Sequence, residues 1–185
     1  MHRTSLSNLL QQYKHRFPAE YAVVERFLQF VRQHPDCFER SLAVGHVTGS
    51  AWVVNQARTH VLLTHHKKLN RWLQLGGHAD GNSRVHEVAL REAQEESGLP
   101  EFRFVTDQIF DIDIHPIPAR GSEPEHFHYD VRFALQTVDH EEYQVSEESH
   151  DLAWIEIARI HEVSQEEALL RMARKWREFS AIFPS

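Results

Sequence analysis

The chain reads as an α+β domain in which strands precede and follow a central helix, with further helices at both ends. Three observations carry that reading. Apolar residues recur at helical spacing over residues 5–34, the period then shortens to strand alternation, and one segment, residues 77–99, interrupts the strand-like runs as a glycine turn running into a helix. At 185 residues with 41% hydrophobic content, the chain has material for one packed domain with an added element.

The elements follow in order. Residues 5–34 read as two helices broken near Pro18, with Leu6, Leu9, Leu10 and Tyr13 in the first and Tyr21, Val24, Phe27, Leu28 and Val31 in the second. Pro35 ends the pair. This sets off residues 1–38 as a helical extension on a core of residues 39–185; it can pack on that core, cover a ligand cleft or build a dimer. Residues 42–44, 50–54 and 60–64 are short β-prone runs separated by polar turns, and residues 72–75 lead into Gly76-Gly77 and the central helix. After Pro100, residues 102–113 and 126–137 read as strands joined by a loop holding Pro116, Pro118, Gly121 and Pro124. Residues 152–155 form a last short strand. Ser164 opens a closing helix through Phe179, with Glu166 and Glu167 in its first turn, where acids favour the helix dipole.

Charge and composition narrow the function classes. A net charge of −7 without a long Lys/Arg tract argues against binding a nucleic-acid polymer. The nearest basic cluster, His65-His66-Lys67-Lys68 with Arg71, reads first as a solvated turn and second as a contact for a phosphorylated ligand. Cys37 is the only cysteine, so no intrachain disulfide is expected, and it reads as a small core residue near a helix end. No run reaches the roughly 18 apolar residues of a membrane span, and the first residues lack the apolar stretch of a signal peptide. No membrane partner and a cytoplasmic location are the expectations.

The central helix carries the chemistry. At about 100° per residue, Val85, Val88, Ala89, Ala93 and Leu99 share one face, and Glu92 and Glu96 fall inside that stripe with Glu95 at its edge. Two carboxylates one turn apart repel each other, and burying them adds a desolvation cost of several kcal/mol each. Something positive must sit there. Mg²⁺ or Mn²⁺ is the simplest candidate, because such ions take carboxylate, carbonyl and water ligands, and the segment offers no thiolate and only His86, on the opposite face. Arg91, at i+4 from Glu87 and i−4 from Glu95, suits a Glu87–Arg91–Glu95 ladder that holds one carboxylate in a fixed rotamer. An ordinary charged surface helix is the competing reading.

These residues resemble the Nudix box, whose pattern is Gly, five residues, Glu, seven residues, Arg-Glu, an apolar residue, any residue, Glu-Glu, any residue, Gly and an apolar residue. Gly77, Arg91, Glu92, Ala93, Glu95, Glu96, Gly98 and Leu99 fall on it at the right spacing; Ser83 stands where the family usually has its first Glu. The resemblance covers roughly residues 40–175. It implies the Nudix fold, an α/β/α sandwich with a mixed sheet between helices. It also implies metal coordination by Glu92, Glu95 and Glu96 with the Gly76 carbonyl, and an Arg91 that orients Glu95. Family members often recruit a further acid from a loop before a late Trp-containing strand. Glu148, six residues before Trp154, is the candidate here, with a solvated acidic loop as the alternative. Together Arg91, Glu95, Glu96 and Glu148 make the expected catalytic set.

The activity implied is Mg²⁺- or Mn²⁺-dependent hydrolysis of a phosphoanhydride, in a nucleoside diphosphate linked to another group or in a nucleoside triphosphate. The partner is then a small nucleotide or diphosphate, and many relatives form a homodimer. A non-catalytic ligand-sensing module, favoured by Ser83, and an isopentenyl-diphosphate isomerase, whose chemistry leans on a Cys and a Glu, are the alternatives.

Fifteen histidines are many for this length. His126, His128 and Asp130 alternate and so share one face of a strand, and His78 and His115 come from segments that can converge near them. His78, His126, His128 and Asp130 are the substrate-binding candidates: they can hold a second metal, contact a phosphate or position a base. The plainer reading is the wet face of a half-buried strand. Trp52, Trp72, Phe127 and Tyr129 offer surfaces for base stacking, although strand aromatics more often fill cores.

Overall fold

The structure is a computed structural model that describes residues 2–67, 70–121, 124–145 and 149–182. Its centre is a parallel pair, β1 (Gly45–Val54) and β7 (His126–Thr137), joined along its whole length from Gly45 opposite Phe127 to Val54 opposite Gln136. Each central strand has a forked outer edge. Beyond β1, the antiparallel β4 (Leu75–His78) runs along Thr48 to Ala51, while β2 (His60–His66) takes over at Val53 and Val54. Beyond β7, β6 (Asp111–Ile117) covers the first half and β5 (Phe102–Phe104) the end. β3 (Arg71–Leu73) and β8 (Ser149–Glu156) pair with β2 and, among the described residues, complete a mixed sheet of eight strands.

Side chains alternate across a strand, and that period-two rule sorts the two faces. Val47, Ala51 and Val53 of β1 and Tyr129, Val131, Phe133 and Leu135 of β7 enter one buried cluster. The same cluster holds the apolar sides of α1 (Thr4–Arg16), α2 (Tyr21–Gln33) and α3 (Val85–Ser97). Phe30 of α2 stacks on Tyr129 with ring centroids 3.7 Å apart, so the helical pair in front of the sheet shares the core of the strands. Each fully buried Phe or Leu here contributes about 1.5–3 kcal/mol. On the opposite face, Trp52, Val54 and Ala134 pack under Leu169, Met172, Trp176 and Phe179 of α5 (Glu167–Ile182). Further along the same face the side chains turn polar: His46, Thr48 and Ser50 on β1, His128 and Asp130 on β7. One face of the central pair thus changes from apolar under α5 to polar away from it, and the polar end is where a cleft opens.

A buried ion network ties α5 to the sheet. Asp111 is fully buried and pairs with Arg132 at 2.9 Å, Arg171 at 2.9 Å and Lys175 at 2.5 Å. Lys175 also reaches Glu20 at 2.5 Å and the Tyr13 hydroxyl, which joins the N-terminal helices to the same network. Arg132 donates from Nε to Asp130 at 2.7 Å and so anchors the cleft floor.

Several boundaries differ from the sequence reading. Residues 42–44 are not a strand but a turn whose Leu42 carbonyl accepts from Gly45, and β1 begins only after it. Residues 102–113 are two short strands on different halves of the β7 edge, because the chain leaves that edge between them. The closing helix starts at Glu167, after a short helix, α4 (Ile160–Val163), whose Ile160 packs with the α5 cluster. The 126–137 strand stands as read, and the helix carrying Arg91, Glu92, Glu95 and Glu96 spans Val85–Ser97.

Candidate functional site

The cleft has a volume of about 500 Å³, and α3 forms one wall. Its helix is set by local chemistry at both ends. The Asn82 Oδ1 accepts the Arg84 N–H at 2.9 Å, and Gly98, with φ of 69°, takes the left-handed position and returns its N–H to the Gln94 carbonyl at 2.9 Å. Val85, Val88, Ala89 and Ala93 are buried as the stripe requires. The acids placed within that stripe sit at its margin on the cleft. Glu92 keeps 15% of its side chain exposed, Glu96 is half-buried, and Glu95 is exposed at 59%. The expectation of carboxylates sunk in the core is therefore corrected: the cleft relieves the desolvation that the stripe alone implies.

Glu92 reaches the cleft past Gly77, where no side chain stands in the way. A Cβ on Gly77 would lie 2.5 Å from the Glu92 carboxylate carbon. The Gly76 N–H donates to Glu96 Oε1 at 2.9 Å, so β4 holds one acid while α3 presents it. Arg91 pairs with Glu92 at 2.7 Å and with Glu95 at 3.7 Å, and donates to the His78 carbonyl at 3.1 Å. The anticipated Glu87 arm of the ladder does not form. Glu87 pairs with Arg84 at 2.7 Å, one turn nearer the helix start, and Arg91 spends its second contact on Glu92 instead.

Glu92, Glu95, Glu96, Gly76 and Gly77 all line the cleft, and their donor set is of oxygen alone. That set fits a hard divalent cation, since carboxylate and carbonyl oxygens are what Mg²⁺ and Mn²⁺ prefer. Gly77→Ala is expected to crowd the Glu92 carboxylate and weaken divalent-ion affinity about 10–100-fold, the usual cost of disturbing a ligand's support. Calorimetric Mg²⁺ or Mn²⁺ titration of the folded variant checks this.

The far wall is histidine. Register brings the rings together: His46 lies opposite His128 across the β1–β7 pair, and His115 lies opposite His128 across the β6–β7 pair. Ring centroids are 4.8 Å apart for His46–His128, 5.0 Å for His46–His78, 5.0 Å for His46–His126 and 5.5 Å for His115–His128. His78, His115, His126 and His128 therefore converge. His46 joins them unanticipated, though its alternation with Thr48 and Ser50 repeats the pattern of His126, His128 and Asp130. Burial, and then the neighbouring imidazoles, push His46 down to about 4 and His128 down to about 2. Both are neutral near pH 7. Neither ring nitrogen of His46 finds a hydrogen-bond partner among the described residues, nor does His128 Nε2, and such buried orphans cost about 1–3 kcal/mol each.

Asp130 lines the cleft with its carboxylate already engaged by Thr48 at 2.9 Å, Ser50 at 2.7 Å, Arg132 at 2.7 Å and Gln74 at 3.3 Å. His86 faces away, against Phe104 and Phe133. Trp52 and Tyr129 are core, and Trp72 packs half-buried beside His65. His66 lines the cleft, whereas Lys68 and Glu148 lie outside the described residues.

Fold and wall together define a Nudix-type domain. The chain matches the NUDIX domain model over residues 45–177 and belongs to that family. Among solved structures, it is similar to an Ap4A hydrolase of C. elegans in a binary complex, at 17% identity and a TM-score of 0.60, covering 74% of this chain and 98% of that one. The Nudix hydrolase RenU of M. smegmatis gives 17% identity and a TM-score of 0.58, with 76% and 89% covered. A MutT protein of Methanosarcina mazei Go1 gives 16% and 0.55, with 78% and 99% covered. At such identities these likenesses show the fold. No curated protein matches the chain. No helix among the described residues is long and apolar enough to cross a membrane.

Proposed function

We propose that the protein is a Mg²⁺- or Mn²⁺-dependent pyrophosphohydrolase that cleaves a phosphoanhydride in a nucleoside diphosphate linked to another group, or in a nucleoside triphosphate. The observation that carries this reading is the shared cleft, in which three carboxylates of α3 and the Gly76-Gly77 backbone face a polar sheet floor. Glu92, Glu95, Glu96 and the Gly76 carbonyl would hold the cation. Bound there, it would neutralise phosphate charge, polarise the leaving oxygen and activate a water.

The chain's own residues do the positioning. Arg91 holds Glu92 and Glu95 through its ion pairs, and the Gly76 N–H holds Glu96. Glu148 is the proposed further acid, as base or metal ligand, and His78, His126, His128 and Asp130 are the proposed contacts for the substrate beyond its diphosphate. The isomerase alternative leans on a cysteine, and Cys37 is fully buried in the core, with burial pushing its thiol up to about 11. Phosphate, pyrophosphate and mononucleotide release from a panel of dinucleotides, nucleotide sugars and nucleoside triphosphates tests the reading. Turnover that requires Mg²⁺ or Mn²⁺ and stops with EDTA is expected; a panel left intact with either ion would favour the ligand-sensing alternative.

A further inference from the structure

We infer that His46, His78 and His128 form a second metal site, selective for a borderline ion such as Zn²⁺ and separate from the carboxylate site on α3. One ligand nitrogen from each of the three rings lies within 4.8 Å of the others. The three residues come from β1, β4 and β7, whose pairing is fixed by continuous ladders, so the cluster is built into the centre of the sheet.

His46 supplies the independent observation. Its side chain belongs to a residue 3% exposed, it is ringed by His78, His126 and His128, and both nitrogens lack a hydrogen-bond partner among the described residues. Histidine kept in a core for packing or for a hydrogen bond ordinarily satisfies at least one nitrogen. A buried, unpartnered ring nitrogen lying within 4.8 Å of a nitrogen on each of two other imidazoles has the makings of a ligand set.

The donor set then selects the ion. The nearby carboxylates are spoken for: Asp113 accepts from His115 at 3.1 Å and pairs with Arg132, and Asp130 accepts from Thr48, Ser50 and Arg132. What converges is imidazole nitrogen, which suits Zn²⁺, Co²⁺ or Ni²⁺ and suits Mg²⁺ poorly. Tetrahedral Zn–N bonds of about 2.0–2.1 Å place ligand nitrogens roughly 3.3 Å apart, so zinc binding would draw the three rings inward from their present 4.8 Å spread. The flanking rings stiffen the wall, since His126 Nδ1 is 2.9 Å from the Pro124 carbonyl and His115 is held by Asp113. His78 and His128 line the same cleft as Glu92, Glu95 and Glu96, so an ion held by these rings would be open to that cleft. Three protein ligands with one open position is the arrangement of a zinc site that takes water or a ligand oxygen.

The binding claim does not depend on the hydrolase reading, and its test has no activity readout. The full chain is stripped with chelator, given Zn²⁺ alone in the presence of excess Mg²⁺, and analysed for metal content and zinc X-ray absorption. One equivalent of zinc with three nitrogen neighbours at about 2.0 Å is expected. His78→Gln and His128→Asn should each weaken binding by at least about 100-fold, beyond the range seen for support residues, whereas Glu96→Gln should leave it unchanged. Circular dichroism confirms that the variants fold, and the absorption spectrum of the unaltered protein stands without them. Absence of retained zinc, an oxygen-dominated shell, release by Mg²⁺, or loss in Glu96→Gln would each overturn the inference.

Discussion

Glu96→Gln is expected to reduce divalent-dependent turnover by roughly two to three orders of magnitude, about 2.7–4 kcal/mol of transition-state stabilisation, while melting within a few degrees of the parent. The change is nearly isosteric. Glu96 Oε1 accepts the Gly76 N–H at 2.9 Å, and a glutamine carbonyl can accept the same bond, so the β4 backbone stays in place. What disappears is one negative charge on the wall that faces the cleft and, in the proposed cation site, one strong oxygen ligand. A cation held by carboxylates loses affinity with each charge removed, and a phosphoanhydride depends on that cation for charge neutralisation. Steady-state kinetics at several Mg²⁺ concentrations, with a parallel thermal melt, separates the two effects. Near-parental turnover in a folded Glu96→Gln protein would remove Glu96 from the chemistry.

What was legible in the sequence was whatever is local. The central helix, its glycine end at Gly98 and the strand over 126–137 are written in periodicities of 3.6 and 2 that need no knowledge of neighbours. The same holds for the grouping of Glu92, Glu95 and Glu96, because helical geometry alone fixes it. Burial was harder to read: the stripe put those acids in the core, and only the cleft, formed by elements far apart in sequence, shows that they sit at its margin. Arg91 illustrates the same limit. Spacing made Glu87 and Glu95 equal partners, but Arg84 takes Glu87 and frees Arg91 for Glu92. His46 was missed because its meaning comes from lying opposite His128, a parallel register no local window contains. Asp111, Arg132, Arg171 and Lys175 were missed likewise, since a charged residue in a sequence reads as surface until its partners are known.

That network supports the second large effect: Asp111→Ala is expected to destabilise the protein by about 3–5 kcal/mol, which lowers the melting temperature by roughly 6–20 °C for a chain of this size. Asp111 is 0% exposed and Arg132 3% exposed, so removing the carboxylate leaves guanidinium charge inside the core with less to oppose it. Lys175 and Arg171 keep Glu20 and Asp113, which bounds the loss. Asp111→Asn, which preserves shape and an acceptor, is expected to cost less. The effect must also follow pH. Burial raises the Asp111 pKa, but Arg132, Arg171 and Lys175 outweigh it and hold the carboxyl below its ordinary value; at Asp113, burial is outweighed in the same way by His115 and Arg132. A carboxylate depressed in the folded state stabilises fully above its unfolded pKa, about 3.9, and that contribution drains away as pH falls below it. The melting gap between the parent and Asp111→Ala should therefore be widest above about pH 5 and narrow steadily below about pH 4. A gap that stays constant from pH 7 to pH 3 would mean that Asp111 acts by filling space, and that the charges around it are balanced by something other than its carboxylate.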